Sequence, residues 1–438
     1  MALQGLAWLH ALAWGPWTQA LLLFTGVYLT FALRFIQVRR LPMAVSCLLH
    51  SPKAGGDIPP FQALTTVLAA TVGTGSLAGV ATAVALGGPG ALLWMWLTAV
   101  FGMATKYSEA VLAVRYRTRT AHGYVGGPMY YMVRGLGPGA RPAAVCFSVS
   151  GALAAFGIGN MVQANTVARA LGGALSVPVA LTGSVLTVLT GLVIFGGLKR
   201  IGTVTSLLVP LMAAVYIAGC LAALVRFSDR LPMALWQIIQ GAFSGTAARG
   251  GFAGAALDRV IQTGLSRGIF VNEAGLGSAP IAHAAAMTAS PARQGLVAMS
   301  GTLFDTLLVS GLTGLVIVSS GVWTTGLSGA ELTALTFQVA LGPLGALVVL
   351  ISVVLFASST IVGWSYYGEK CMEFLFGHAA VTPYRALWTA AVCFGSLLPV
   401  GTVWSASDVM NGFMAIPNLV AVLLLSPIVV CETRKEVL

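Results

Sequence analysis

About eleven long apolar runs, parted by short stretches that hold Gly, Pro and most of the charge, make up nearly all of this 438-residue chain. Within a bilayer every backbone N–H and C=O needs a partner inside the protein, so apolar runs of about 20 residues are helices. The runs fall at 16–38, 61–86, 89–115, 143–171, 176–197, 203–226, 232–265, 293–321, 342–374, 384–400 and 404–430. Composition agrees, since 57% of residues are hydrophobic and 8% charged, against about 25% charged in a soluble domain. That leaves too few polar groups to cover a water-facing surface. The expected fold is all-α and polytopic, a single transmembrane domain in contact with the lipid bilayer.

The net charge of +11 would suit a nucleic-acid binder, but Lys and Arg sit in the short connections rather than on one continuous face. Their placement sets an orientation instead. With the N-terminus outside, Arg34, Arg39 and Arg40 end the first span inside. Arg115, Arg117, Arg119, Arg134, Arg141, Lys199, Arg200, Arg259, Arg267, Arg293, Lys370, Arg385, Arg434 and Lys435 follow on that same side. Little beyond Arg169, Arg226 and Arg230 stays outside, so the C-terminus is expected in the cytoplasm and the protein in the cell (inner) membrane. Met1–Ala13 reads as an interfacial amphipathic stretch. The six cysteines are scattered without Cys-x-x-Cys spacing, and the five histidines never pair at i, i+4, which argues against zinc or haem.

Without the first run (16–38), ten remain as five plus five, 61–226 and 232–430. The first run of each group stands out for glycine. Thr65–Gly90 holds Gly73, Gly75, Gly79, Gly87 and Gly88; Gly241–Gly254 holds Gly245, Gly250, Gly251 and Gly254. Glycine either lets helices pack closely or lets a helix unwind. Local chemistry favours unwinding. Thr71-Val72-Gly73-Thr74-Gly75-Ser76 puts three hydroxyls around two glycines, and Ser244-Gly245-Thr246 with Arg249-Gly250-Gly251-Phe252 offers similar elements plus an aromatic wall. Unwound backbone frees carbonyls for a cation, and the next half-helix points its free amides at an anion. Interrupted helices in matching positions of two halves mark the central site of a transporter. A zwitterion such as an amino acid would suit both ends.

Several motifs then resemble the alanine or glycine:cation symporter family. They are Thr71–Val84 (TVGTGSLAGVATAV), Gly102–Ala110 (GMATKYSEA), Gly126–Met132 (GGPMYYM), Phe156–Asn165 (FGIGNMVQAN) and Gly245–Gly254 (GTAARGGFAG). Arg267–Ala286 (RGIFVNEAGLGSAPIAHAAA), Gly363–Lys370 (GWSYYGEK) and Met414–Asn418 (MAIPN) complete the set. The resemblance implies a leucine-transporter-like architecture, two inverted five-helix repeats preceded by one extra helix. It also implies Na+-coupled uptake of a small neutral amino acid, alanine or glycine, with protons as the occasional alternative.

Carried onto this sequence, the family's substrate carboxylate would meet Thr74 and the amide of Gly75, with the Thr71 carbonyl near the ammonium. Asn160 and Gln163 would contribute from the third core helix, and Thr246, Gly251 and Phe252 from the second broken one. The main sodium site would take the carbonyls of Ala69, Val72 and Phe356 and the hydroxyls of Ser359 and Thr360, with Ser358 replacing Ser359 if the helix is rotated. Five oxygens suit a hard cation. Two positions depart from the family pattern: Ser76 stands where Asn is usual, facing a second cation in related folds, and Arg249 stands where a small or neutral residue is expected.

Asp305 lies in an otherwise apolar helix, where a carboxylate is costly and faces the bundle interior. Three functional roles are open to it, as cation ligand, proton acceptor or partner of Arg249, beside plain structural hydrogen bonding. Lys106 and Glu109, at i, i+3, read as an ion pair near an inner helix end. Asn272 and Glu273, with Arg267, read as a cytoplasmic gate or loop lock, a role Arg249 could share, and the Gly-Gly-Pro-Met-Tyr-Tyr run as a cytoplasmic loop. An intramembrane enzyme would need paired catalytic groups, and no His cluster or Ser/Lys dyad is visible. A channel would call for a ring of like charges.

Overall fold

The computed structural model describes residues 2–49, 55–244, 260, 263–265, 267–268 and 271–436. The chain opens with α1 (Ala2–Trp14), α2 (Pro16–Ala32) and α3 (Leu41–Leu49). Next come α4 (Pro60–Thr71), α5 (Gly75–Gly87) and α6 (Ala91–Arg115). A two-stranded hairpin, β1 (Thr118–Thr120) and β2 (Gly123–Val125), leads to α7 (Pro128–Gly135). Then follow α8 (Pro138–Leu175), α9 (Val179–Ile194), α10 (Gly197–Arg226), α11 (Leu231–Ser244) and the short α12 (Ala279–His283). The last group is α13 (Pro291–Ser320), α14 (Gly329–Leu341), α15 (Pro343–Phe376), α16 (Val381–Leu397), α17 (Gly401–Leu424) and α18 (Ser426–Glu436).

Five of these helices, α8, α10, α13, α15 and α17, are long and apolar enough to cross a membrane, and α4 with α5 makes a sixth span bent by 54°. Helices α2, α9 and α16 lie where spans were expected but have 17, 16 and 17 residues. Helix α6 has 25 and carries Lys106 and Glu109 in its interior. Helices α3, α7, α12 and α14 occupy stretches the hydropathy pattern left as connections, and α18 continues past the end of the last run. Helix α14 is tied to the first broken helix by the Thr333 hydroxyl, which donates to the Leu77 carbonyl at 3.2 Å.

The bend in α4–α5 has a local cause. The helix stops at Val72 (φ −74°, ψ 79°), and Gly73 N–H turns back to the Thr71 carbonyl at 2.8 Å. Chain direction resumes as a π-turn over Gly75–Gly79. Two further π segments, Ala155–Met161 within α8 and Leu303–Ser310 within α13, lie in the helices that face this break. Such segments shift the hydrogen-bond ladder by one residue and concentrate at functional sites.

The Gly245–Gly254 stretch, with Thr246, Arg249, Gly251 and Phe252, lies outside the described residues. The helix Leu231–Ser244 runs through Gly241 without a break. Among the described residues a backbone reversal is found at Glu273–Ser278, where Glu273 (φ 52°), Gly275 (φ 89°) and Gly277 (φ 83°) are left-handed. Asn272 and Glu273 in this segment are both buried. Helices α2, α6, α8 and α17 enclose it.

Candidate functional site

The two interruptions meet around a buried cavity. Thr71, Gly73, Thr74 and Gly75 from the first form one wall, and Val271 and Glu273 from the second form another. Helix α8 adds Ile158, Val162 and Gln163, α15 adds Thr360 and Trp364, and α17 adds Trp404 and Asn411. Measured to the centre of a water-sized sphere, the cavity volume is ≈ 30 Å³, room for a solute of a few heavy atoms. It combines main chain, hydroxyl, amide and one carboxylate with an aromatic lid.

Several polar side chains in the cavity have a structural reason to point there. The Thr74 hydroxyl donates to Gln163 Oε1 at 3.3 Å, and Gln163 Nε2 donates to the Ile158 carbonyl at 3.0 Å within the π segment of α8. Glu273 is oriented by the Ser278 hydroxyl, which donates to its Oε2 at 2.6 Å. Helices α8 and α15 approach so closely that a Cβ at Gly159 would lie 2.4 Å from Trp364 Cβ, and this contact fixes Trp364 over the cavity. Asn160 is not brought to it: its Nδ2 donates to the Trp388 carbonyl at 2.9 Å, joining α8 to α16.

Beside the first break, α15 presents a row of oxygens. Ser359 Oγ lies 2.8 Å from the Phe356 carbonyl and 3.2 Å from the Ala69 carbonyl, and the Thr360 hydroxyl donates to Phe356 O at 2.9 Å. Thr360 also faces Gly73, where a Cβ would sit 2.7 Å from its Oγ1. Ala69, Val72, Phe356, Ser359 and Thr360 are all buried, whereas Ser358 is only half-buried. The i, i+3, i+4 spacing on α15 accounts for the shared face.

A second polar cluster adjoins the cavity through Ser76. Its hydroxyl donates to Asp305 Oδ1 at 2.8 Å across the two π segments. The other carboxylate oxygen, Asp305 Oδ2, has no partner among the described residues, nor do the hydroxyls of Thr302 and Thr306 on the same helix. Lys106 lies in electrostatic reach of Asp305, Glu273 and Glu109.

The expected Lys106–Glu109 ion pair is replaced by another arrangement. Glu109 Oε1 accepts from Asn418 Nδ2 at 2.6 Å, and Asn418 also donates to the Gly275 carbonyl at 2.8 Å. The backbone of Gly275 and Gly277 lies beside the Glu109 carboxylate, whose Oε2 has no hydrogen-bond partner among the described residues. Tyr131 of the Gly-Gly-Pro-Met-Tyr-Tyr run donates its hydroxyl to Asn418 Oδ1. Glu109, Asn418 and Tyr131 therefore hold the second break, a role that sequence reasoning missed. The available signal was the Gly-Leu-Gly spacing at Gly275–Gly277, which no regular helix favours.

Paired interruptions of apolar helices around a small polar cavity define a secondary transporter of the membrane, built on the leucine-transporter-like fold. The solved structure of MhsT in complex with L-phenylalanine shares that fold, with a TM-score of 0.58 and 14% identity over 88% of this chain and 100% of that one. A profile of the sodium:alanine symporter family matches residues 1–435, and the chain belongs to that family. The sodium/alanine symporter AgcS of Methanococcus maripaludis is 49% identical over 436 residues, covering 97% of this chain and 95% of that protein. The probable sodium/glutamine symporter GlnT of Bacillus subtilis is 39% identical, with 95% and 87% covered. The putative sodium/proton-dependent alanine carrier protein YrbD of the same organism is 34% identical, with 95% and 89% covered.

Proposed function

We propose that the protein carries a small neutral amino acid, alanine or glycine, into the cell together with Na+. The observation that carries this reading is the meeting of Ser359 and Thr360 with the Ala69–Gly73 segment directly beside the cavity. Na+ would bind the carbonyls of Ala69, Val72 and Phe356 and the hydroxyls of Ser359 and Thr360, where hard oxygens replace its water. That binding orders the first break. The amino acid then completes the site, its carboxylate on Thr74 and the Gly75 amide at the start of a half-helix. Its ammonium would sit between the Thr71 carbonyl and the Glu273 carboxylate, and Gln163 would fix the orientation.

In this reading residues 61–226 and 232–430 form the inverted repeats, the N-terminus lies outside, and the inner membrane potential drives the cycle. One inward charge gains about 2.3 kcal/mol per 100 mV. A second reading uses Asp305 with Ser76 as a proton or second-cation site, favoured by the unpartnered Asp305 Oδ2. Uptake of labelled alanine into proteoliposomes, with Na+ and proton gradients imposed separately, decides between them. Na+-driven uptake that survives Asp305→Asn supports the main reading. Uptake driven by a pH gradient alone and abolished by Asp305→Asn replaces it with the second.

A further inference from the structure

A polar pocket and an apolar groove lie end to end along one face of α13. Arg293, Val297, Ser300, Phe304 and Leu308 mark that face, spaced by three or four residues so that they form one stripe. The pocket sits at the start of α13, between α3 and the first residue of α4. In the orientation proposed above, that end faces the cytoplasm. The groove continues between α3, α4, α10 and α13, and its rim residues Val45, Phe61 and Leu308 are exposed, so it opens sideways to the bilayer. Measured to the centre of a water-sized sphere, the two volumes are ≈ 340 Å³ and ≈ 700 Å³.

The groove offers no free polar side chain. Among the described residues that line it, two carry a hydroxyl, and main chain satisfies both. Thr65 donates to the Gln62 carbonyl at 3.2 Å, and Ser300 to the Val297 carbonyl at 2.6 Å. A polar solute would lose hydrogen bonds on entering, whereas a hydrocarbon chain has none to lose. From Val297 to Leu308 the helix rises about 16 Å at 1.5 Å per residue. Half the hydrocarbon core of a bilayer is about 15 Å, so the groove has the length of one leaflet.

The pocket has the opposite character. Arg293 is exposed at its edge and makes no ion pair among the described residues. Arg39 and Arg40 immediately precede α3 and add positive charge nearby, which favours anionic lipid. Gln294 is buried and its Nε2 bonds His283 Nδ1 at 2.8 Å, leaving Oε1 as an acceptor without a partner among the described residues. A ligand that suits both groups brings an anion for the guanidinium and a hydrogen-bond donor for the amide oxygen.

We propose that pocket and groove together bind a phospholipid of the cytoplasmic leaflet, of the phosphatidylglycerol kind. Its phosphate lies at Arg293, a headgroup hydroxyl at Gln294 Oε1 and one acyl chain in the groove. A choline headgroup, with no N–H or O–H, cannot serve Gln294. The chain packs on Phe61, Leu64 and Leu68 of α4, just ahead of the first break, so binding stabilises the folded protein.

The test uses the full-length protein in dodecyl maltoside and reads its melting temperature. Dioleoyl phosphatidylglycerol, dioleoyl phosphatidylcholine or inorganic phosphate is added. Phosphatidylglycerol should raise the melting temperature by about 5 °C, phosphatidylcholine by less than half as much, and phosphate not at all. Arg293→Gln should remove most of the phosphatidylglycerol shift without altering the lipid-free melting temperature. Leu308→Trp, which fills the groove from an exposed position, should weaken the shift as well. Equal shifts with both lipids, or a full shift in Arg293→Gln, would mean general solvation by lipid and overturn the inference. A shift with inorganic phosphate alone would make the pocket a soluble-anion site and overturn the lipid assignment. Phosphatidylglycerol with a diazirine on its acyl chain should crosslink to residues 300–308. Labelling spread evenly over the lipid-facing helices would also overturn it. The inference borrows only an orientation from the transport reading, and because nothing here measures uptake, either can fail without the other.

Discussion

At the first break, Val72–Thr74, the helix ends among hydroxyls and small side chains, and its main chain faces the cavity and the oxygens of α15. At the second, Glu273–Ser278, three left-handed residues turn the chain, and long polar side chains from other helices satisfy what the turn exposes. Asn418 and Glu109 are buried beside it, and a Cβ at Gly277 would meet Pro128 Cγ at 2.7 Å and Asn418 Cγ at 2.9 Å. The first break offers backbone dipoles as ligands. The second is a rigid bracket that presents one carboxylate, Glu273. In the proposed reading, ligand-dependent ordering belongs to the first break, and mechanical support to the second.

The sharpest way to break this contrast is to remove the oxygens opposite the first break. Ser359→Ala with Thr360→Ala should lower Na+-driven alanine uptake about 100-fold, since each lost ligand at roughly 1.4 kcal/mol is a factor of ten. Thermal unfolding without Na+ should change little. Unaltered Na+ dependence would sink the cation assignment.

Substitution of glycine separates the two breaks next. Gly277→Ala forces a left-handed β-carbon into Pro128 and should cost about 2–3 kcal/mol of stability, read as a lower melting temperature in detergent. Gly73 does not have positive φ, and its neighbour is the side-chain tip of Thr360. Gly73→Ala should therefore keep the melting temperature within a few degrees and weaken Na+ activation instead. Equal losses of stability would erase the distinction drawn here.

Glu273→Gln keeps the size and the Ser278 contact but removes the charge. It should raise KM for alanine about tenfold, the loss of one charge-assisted bond, with little effect on folding. Thr74→Val removes the 3.3 Å bond to Gln163 and the hydroxyl's contact with the substrate carboxylate, while the Gly75 amide remains, and should lower uptake a few-fold, about 1 kcal/mol. If Thr74→Val proves the more damaging of the two, the carboxylate at the second break is not the main polar contact.

Much of the fold was legible along the chain because lipid imposes a simple rule on each segment separately. Apolar length locates the long helices α8, α10, α13, α15 and α17. The Thr-Val-Gly-Thr-Gly-Ser run marks where α4 ends, since small hydroxyl residues and glycine both weaken a helix and equip the exposed backbone. Ser359 and Thr360 could be chosen from helical spacing and family resemblance together. Asn160 could not be judged this way. It shares the helix of Gln163, but the packing of α16 draws its amide to Trp388.

The break at Glu273–Ser278 was not read from the sequence, because glycine content measures only how easily a stretch could unwind. Asn272 and Glu273, following Arg267, read as a cytoplasmic gate or loop lock, and nothing local distinguishes that from a buried bracket. What decides is whether distant groups replace the lost hydrogen bonds. Here Glu109 and Asn418 do so, from positions far along the chain in either direction. By itself, then, the sequence determined the solvent, the helical class and the first break, because each follows from a single segment's own chemistry. Only the tertiary structure decided where the second break lies and that Glu273 faces the cavity. Each of these depends on which separate helices come close enough to pair with exposed backbone.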